Sequence, residues 1–166
     1  MKSKYTLFTG ITALILLLDQ ISKLLVTSRM ALHESIAVLP GFLSITYVRN
    51  PGAAFGFLAD ASPFFRYIFF VAVTVAAIVL ILQYVRKTSA DEPGLIFSLS
   101  LIFGGAVGNL ADRVRYGEVV DFLDAYIGSH HWPAFNAADS AITIGAVILM
   151  MELIRRGKER HNIHAS

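Results

Sequence analysis

Charge-free windows dominate the hydropathy pattern of this chain. Between Arg66 and Arg86 lie nineteen uncharged residues, Tyr67 to Val85, rich in Val, Ile, Ala, Phe and Leu. Nineteen more lie between Glu92 and Asp112, Pro93 to Ala111. At 1.5 Å per residue each window makes a helix of about 28 Å, the thickness of a bilayer's hydrocarbon core. Two outer stretches are less pure. Tyr5 to Leu18 is uncharged but only fourteen residues long, and reaching Val26 takes in Asp19 and Lys23. Ser140 to Met151 is a clean run of twelve, and a full span must start near Asn136 and include Asp139. The pattern predicts spans over about 5–26, 65–85, 93–111 and 136–154, with loops 27–63 and 112–135.

The first loop has structure of its own. Phe42 to Val48 partly alternates apolar with hydroxyl or aromatic residues after Pro40-Gly41, which reads as a short strand. Pro51-Gly52 breaks it, and the apolar stretch 53–61, too short to span, is expected at the interface. The predicted fold is an all-α integral membrane protein: four transmembrane helices with a small β-containing cap, one domain over 1–166.

Composition agrees. Hydrophobic residues make up 55% and charged residues 16%, with a mean hydropathy of +0.63. A water-soluble domain carries about 25% charge. Fourteen Lys plus Arg against twelve Asp plus Glu leave a net +2, too balanced to point to nucleic acid. The chain has no cysteine, so thiol catalysis, thiolate metal sites and disulfides are excluded. Basic residues set the orientation. Lys2 and Lys4 precede the first span, Arg86 and Lys87 follow the second, and Arg155, Arg156, Lys158 and Arg160 follow the fourth. The positive-inside rule puts all three clusters, and both termini, in the cytoplasm. The first helix is expected to stay uncleaved, because no A-x-A site follows it and Asp19 with Lys23 makes an unusual exit.

That topology gathers polar groups at one depth. Asp19 lies about 21 Å along the first span from Tyr5, towards the outer surface. The third span delivers Asn109, Asp112 and Arg113 to the same level, the fourth starts there with Asn136 and Asp139, and the second loop adds Glu118, Asp121 and Asp124. Acids in membrane helices are costly and mark functional sites. Each also has a plainer role. Asp19 and Lys23 fit an i,i+4 ion pair, Gly104 to Gly108 a close-packing helix face, and Asn136 with Asp139 a helix N-cap followed by a first-turn acid. Asp121 sits in Val119-Val-Asp-Phe-Leu123, an apolar setting that disfavours its ionised form. Two carboxylates close together in a partly dry site share one proton between them. The ionised one can then activate water, and the protonated one can serve a carbonyl and a leaving amine. Asp121 with Asp139 is the favoured pair, and Asp112, Asp19 and Asp124 remain alternatives.

Five blocks carry a resemblance: Asp19-Gln-Ile-Ser-Lys23, Asn50-Pro-Gly-Ala-Ala-Phe-Gly56, Gly104-Gly-Ala-Val-Gly-Asn-Leu-Ala-Asp-Arg113, Val119-Val-Asp-Phe122 and Phe135-Asn-Ala-Ala-Asp139. In this order and spacing the chain resembles lipoprotein signal peptidase (signal peptidase II), a bacterial inner-membrane aspartic protease family. The resemblance implies a hydrolase with Asp121 and Asp139 as catalytic dyad and Asn50, Asn109, Arg113 and Asn136 lining the site. Asp19 and Lys23 would be supporting residues, with Asp112 beside them. It implies a diacylglyceryl-modified prolipoprotein as substrate, cut before the lipidated Cys at the extracytoplasmic face among membrane lipids. Paired carboxylates need no metal or other cofactor, and nothing in the chain demands more than a monomer. A proton-coupled carrier would also place acids in helices, but the two middle spans lack charges to continue a path. A serine–lysine peptidase would use Lys23 with Ser22 or Ser140, although Asp19 lies one turn from that lysine. No H-E-x-x-H helix supports a zinc protease.

Overall fold

The computed structural model describes residues 2–52, 58 and 60–165. Its elements are α1 (Lys2–Arg29), β1 (Ser35–Leu39), β2 (Leu43–Asn50), α2 (Pro63–Lys87), α3 (Pro93–Tyr116), β3 (Val119–Ile127), β4 (His130–His131) and α4 (Ala137–Ala165). All four helices contain a stretch long and apolar enough to cross a membrane. Leu14, Leu17, Leu80, Val147 and Met150 point outward, as side chains that face lipid rather than water do.

Helix α3 is the axis of the bundle. Half of its 24 residues are buried, and α1, α2 and α4 all pack on it. Small residues make the approach possible. A Cβ on Gly105 would fall on the Ala138 carbonyl of α4, and one on Gly145 would come within 2.8 Å of the Ser98 carbonyl of α3. At the opposite end of the bundle from the sheet, the Lys4 ammonium is buried and donates to the carbonyls of Val85 (3.1 Å), Arg86 (3.2 Å) and Thr88 (2.7 Å). These satisfy acceptors that the end of α2 would otherwise leave open.

α3 runs on past residue 111 to Tyr116, so Asp112 and Arg113 sit on the helix and not in the loop expected over 112–135. Gly117, at φ +77°, ends it with a left-handed turn and an N–H to the Arg113 carbonyl at 2.8 Å. The chain then turns straight into β3.

The sheet is antiparallel in the order β1-β2-β3-β4. The strand expected at 42–48 is β2, while β1, β3 and β4 were not anticipated. In the β2–β3 register Val48 faces Asp121, and Asn50 faces Val119. A bridge between Leu123 and Phe135 then ties β3 to the residue preceding Asn136. Arg49 fastens the sheet to the bundle, donating to the Tyr47 hydroxyl at 2.8 Å with its guanidinium 4.3 Å over the ring of Tyr116. The interface segment expected at 53–61 lies largely outside the described residues.

Candidate active site

Asp121 reaches the site because β3 is buried along its first four residues, Val119 to Phe122, and holds that carboxylate 1% exposed. Asp139 arrives from the first turn of α4. Asn136 is the N-cap: its Oδ1 accepts from the Asp139 N–H at 2.8 Å, and its own N–H donates to Asp139 Oδ2 at 3.2 Å. This reciprocal pair is a capping box, with Asp where Glu or Gln is usual. The plain and the functional readings of Asn136 and Asp139 are therefore the same bonds.

Asn136 also joins the two carboxylates. Its Nδ2 donates to Asp121 Oδ1 at 2.7 Å and to the Val120 carbonyl at 3.2 Å. The other Asp121 oxygen accepts from Asn50 Nδ2 at 2.8 Å, and Asn50 Oδ1 takes the Gly52 N–H at 2.8 Å. Asp139 Oδ1 accepts from Asn109 Nδ2 at 2.8 Å. Arg113 donates to the Asn109 carbonyl at 3.3 Å, with its guanidinium 5.4 Å from the ring centre of Phe70. Burial, and then the neighbouring charge of Asp139, push the Asp121 carboxyl up to about 7. The hydrogen bonds from Asn50 and Asn136 and the charge of Lys23 act in the opposite direction. Beside Asp139 a cleft of about 390 Å³ opens between Trp132, Phe135 and the Ser140–Ile144 face of α4.

Behind this pair lies a second cluster. The Lys23 ammonium contacts Asp19 Oδ2, Asp112 Oδ2 and Asn109 Oδ1, each at 2.9 Å. Asp19 Oδ1 accepts the Ala138 N–H of α4 at 3.0 Å, and Asp112 Oδ2 accepts the Val120 N–H of β3 at 3.1 Å. Gly108 leaves the room for this, since a Cβ there would come within 2.6 Å of Asp19 Oδ2. Gln20 bridges the two acids, donating to Asp19 Oδ2 and Asp112 Oδ1 at 3.1 Å each and accepting from Arg115 at 3.0 Å. Gln20 stands in the Asp19–Lys23 block, but no role was read for it; its signal was an amide beside the two charges of that block.

All nine sequence-derived residues thus fall in two linked clusters, and the alternatives for the pair separate. Asp19 and Asp112 are bound to Lys23, whereas Asp124 pairs with His131 at 2.9 Å on the exposed β3–β4 hairpin. Ser22 and Ser140 donate to the carbonyls of Asp19 and Asn136.

Four apolar helices around a buried carboxylate site make this a multi-pass membrane protein with an enzyme-like centre. The family model of signal peptidase (SPase) II matches residues 11–155. The lipoprotein signal peptidase of Syntrophus aciditrophicus (strain SB) is 52% identical over 160 residues, covering 96% of this chain and 99% of that protein. That of Geobacter metallireducens is 52% identical over 155 residues, covering 93% and 94%. A bacterial membrane enzyme solved by the in meso method at 1.9 Å shares the fold, with a TM-score of 0.79 and 35% identity over 88% of this chain and 91% of that one. The chain belongs to the signal peptidase II family, and is therefore a membrane peptidase.

Proposed function

We propose that this peptidase is an aspartic endopeptidase that removes the signal peptide from diacylglyceryl-modified prolipoproteins, cutting before the lipidated Cys, with Asp121 and Asp139 as its dyad. The observation that carries the reading is the bridging of these two carboxylates, one from a strand and one from a helix start, by a single buried asparagine. The names of the relatives support the substrate class.

Burial and the charge of Asp139 raise Asp121 to about 7, so the pair carries one proton near neutral pH, assigned to Asp121 with Asp139 as the base. Asp139 takes a proton from water as the water oxygen adds to the scissile carbonyl carbon, and Asp121 gives its proton to the carbonyl oxygen. The gem-diol then collapses: the C–N bond breaks, Asp139 protonates the leaving nitrogen, and a gem-diol hydroxyl returns a proton to Asp121. Asn50, Asn109 and Asn136 fix the carboxylate oxygens, and the Arg113 guanidinium balances their charge. A lipid-anchored substrate keeps its scissile bond at one depth, and the cleft beside Asp139 offers it a lateral approach. The basic clusters support cytoplasmic termini, which puts the site at the outer face of a bacterial inner membrane.

The test is a gel-shift assay with detergent-purified protein and lipidated prolipoprotein, with an unlipidated control, EDTA, a serine-hydrolase reagent, and the Asp121→Asn and Asp139→Asn variants. Cleavage that needs the lipid and both acids, and survives both reagents, is the expected result. Turnover of the unlipidated control, or turnover by either variant within about tenfold of wild type, would overturn it.

A further inference from the structure

We propose that Lys23 is a positioning residue of this peptidase, acting through the Asn109 carboxamide to fix which end of that amide meets Asp139. The inference rests on the assignment of Asp139 to the dyad.

A carboxamide has a donor end and an acceptor end of nearly equal size, and a half-turn exchanges them. Asn109 presents Nδ2 to Asp139 Oδ1 at 2.8 Å. Flipped, it would set its oxygen against a carboxylate. Its Oδ1 is held instead by Lys23 Nζ at 2.9 Å and Asn136 Nδ2 at 3.2 Å. The two holders differ in kind. Asn136 is an amide whose Nδ2 is divided among Asn109, Asp121 and the Val120 carbonyl, and the dyad carboxylates exchange donor and acceptor character whenever a proton moves. An ammonium only donates. Lys23 is thus the shorter and the charged hold on Asn109 Oδ1, and it keeps Asn109 from following Asp139 through its proton exchange.

The remaining contacts of Lys23 hold that reference in register with the site. Its other two bonds go to Asp19 and Asp112. These carboxylates in turn hold the N–H groups of Ala138, next to Asp139, and of Val120, next to Asp121. The three acceptors of Lys23 therefore tie it to the α4 start, to β3 and to the amide between them.

A double-mutant cycle of Lys23→Gln and Asn109→Ala tests this, read as kcat, KM and melting temperature of the purified full chain on lipidated substrate. Each single change is expected to lower kcat about 10- to 100-fold, the scale of a misaligned catalytic group, with KM nearly unchanged. The double variant should fall no further than the worse single, because both remove one relay. Losses that multiply, or a Lys23→Gln effect confined to melting temperature, would overturn the proposal. If Lys23→Gln alone fails to fold, the charge-balanced Lys23→Gln/Asp112→Asn protein takes its place, against Asp112→Asn as reference, with the same two outcomes. The Asp121→Asn and Asp139→Asn proteins run alongside. Activity in either within about tenfold of wild type sinks the dyad itself, whereas multiplying losses with both strongly impaired sink only the relay.

Discussion

At the scale of single residues, the role proposed for Asp121 ties activity to pH. An acid that must be protonated to act, with a pKa near 7, makes kcat/KM fall as pH rises through about 7. Replacing either dyad carboxylate by its amide should cost about 10²- to 10⁴-fold or more in kcat, with the melting temperature largely kept, in the cleavage assay above. Stability carries the same signature. Folded Asp121 keeps its proton up to about 7, while the unfolded carboxyl loses it near 3.8. Between those values the folded state binds more protons, so the Asp121 contribution to stability declines from about pH 4 to pH 7 and is flat above. Melting curves across that range should show the decline in wild type and a smaller one in Asp121→Asn. That these residues come together was legible in the sequence, and the Asp19–Lys23 pair was read correctly from its spacing. What spacing could not give is which atom meets which. That Asp112 is the second acid on Lys23, or that Gln20 spans both acids, depends on the relative rotation of α1 and α3.

Elements were legible in proportion to how much one solvent governed them. Lipid demands long uninterrupted apolar helices, so the four spans stood out. Strand β3 did not, because Val119, Val120, Asp121 and Phe122 are all buried and no inside–outside alternation remains. In β2 the alternation was present, yet the buried positions are Ser44, Thr46 and Tyr47, with Leu43 and Ile45 more open. Packing of α3 on α4 makes a prediction at this level. Gly105→Val places branched carbon against the Ala138 carbonyl, one residue from Asp139. It should destabilise by about 1–3 kcal/mol and lower activity beyond what lost folding explains, as checked by melting and single-turnover cleavage.

For the molecule as a whole, the topology makes a direct prediction. Because the chain has no cysteine, single replacements report cleanly. Ala90→Cys, in the α2–α3 connection, should be labelled by a membrane-impermeant maleimide only when the cytoplasmic side is opened. Ser129→Cys, in the β3–β4 hairpin, should be labelled from outside on intact spheroplasts. The reverse pattern would invert the molecule. The capping box at Asn136 has a consequence for biosynthesis. Its bonds, and the Ala138 N–H that Asp19 grips, belong to the first turn of α4, which is synthesised after α1, α3 and β3. A nascent chain stalled after the third span carries Asp121 with no second acid beside it. On the proposed dyad, cleavage waits until α4 docks on α3 and brings Asp139 to the site of Asp121.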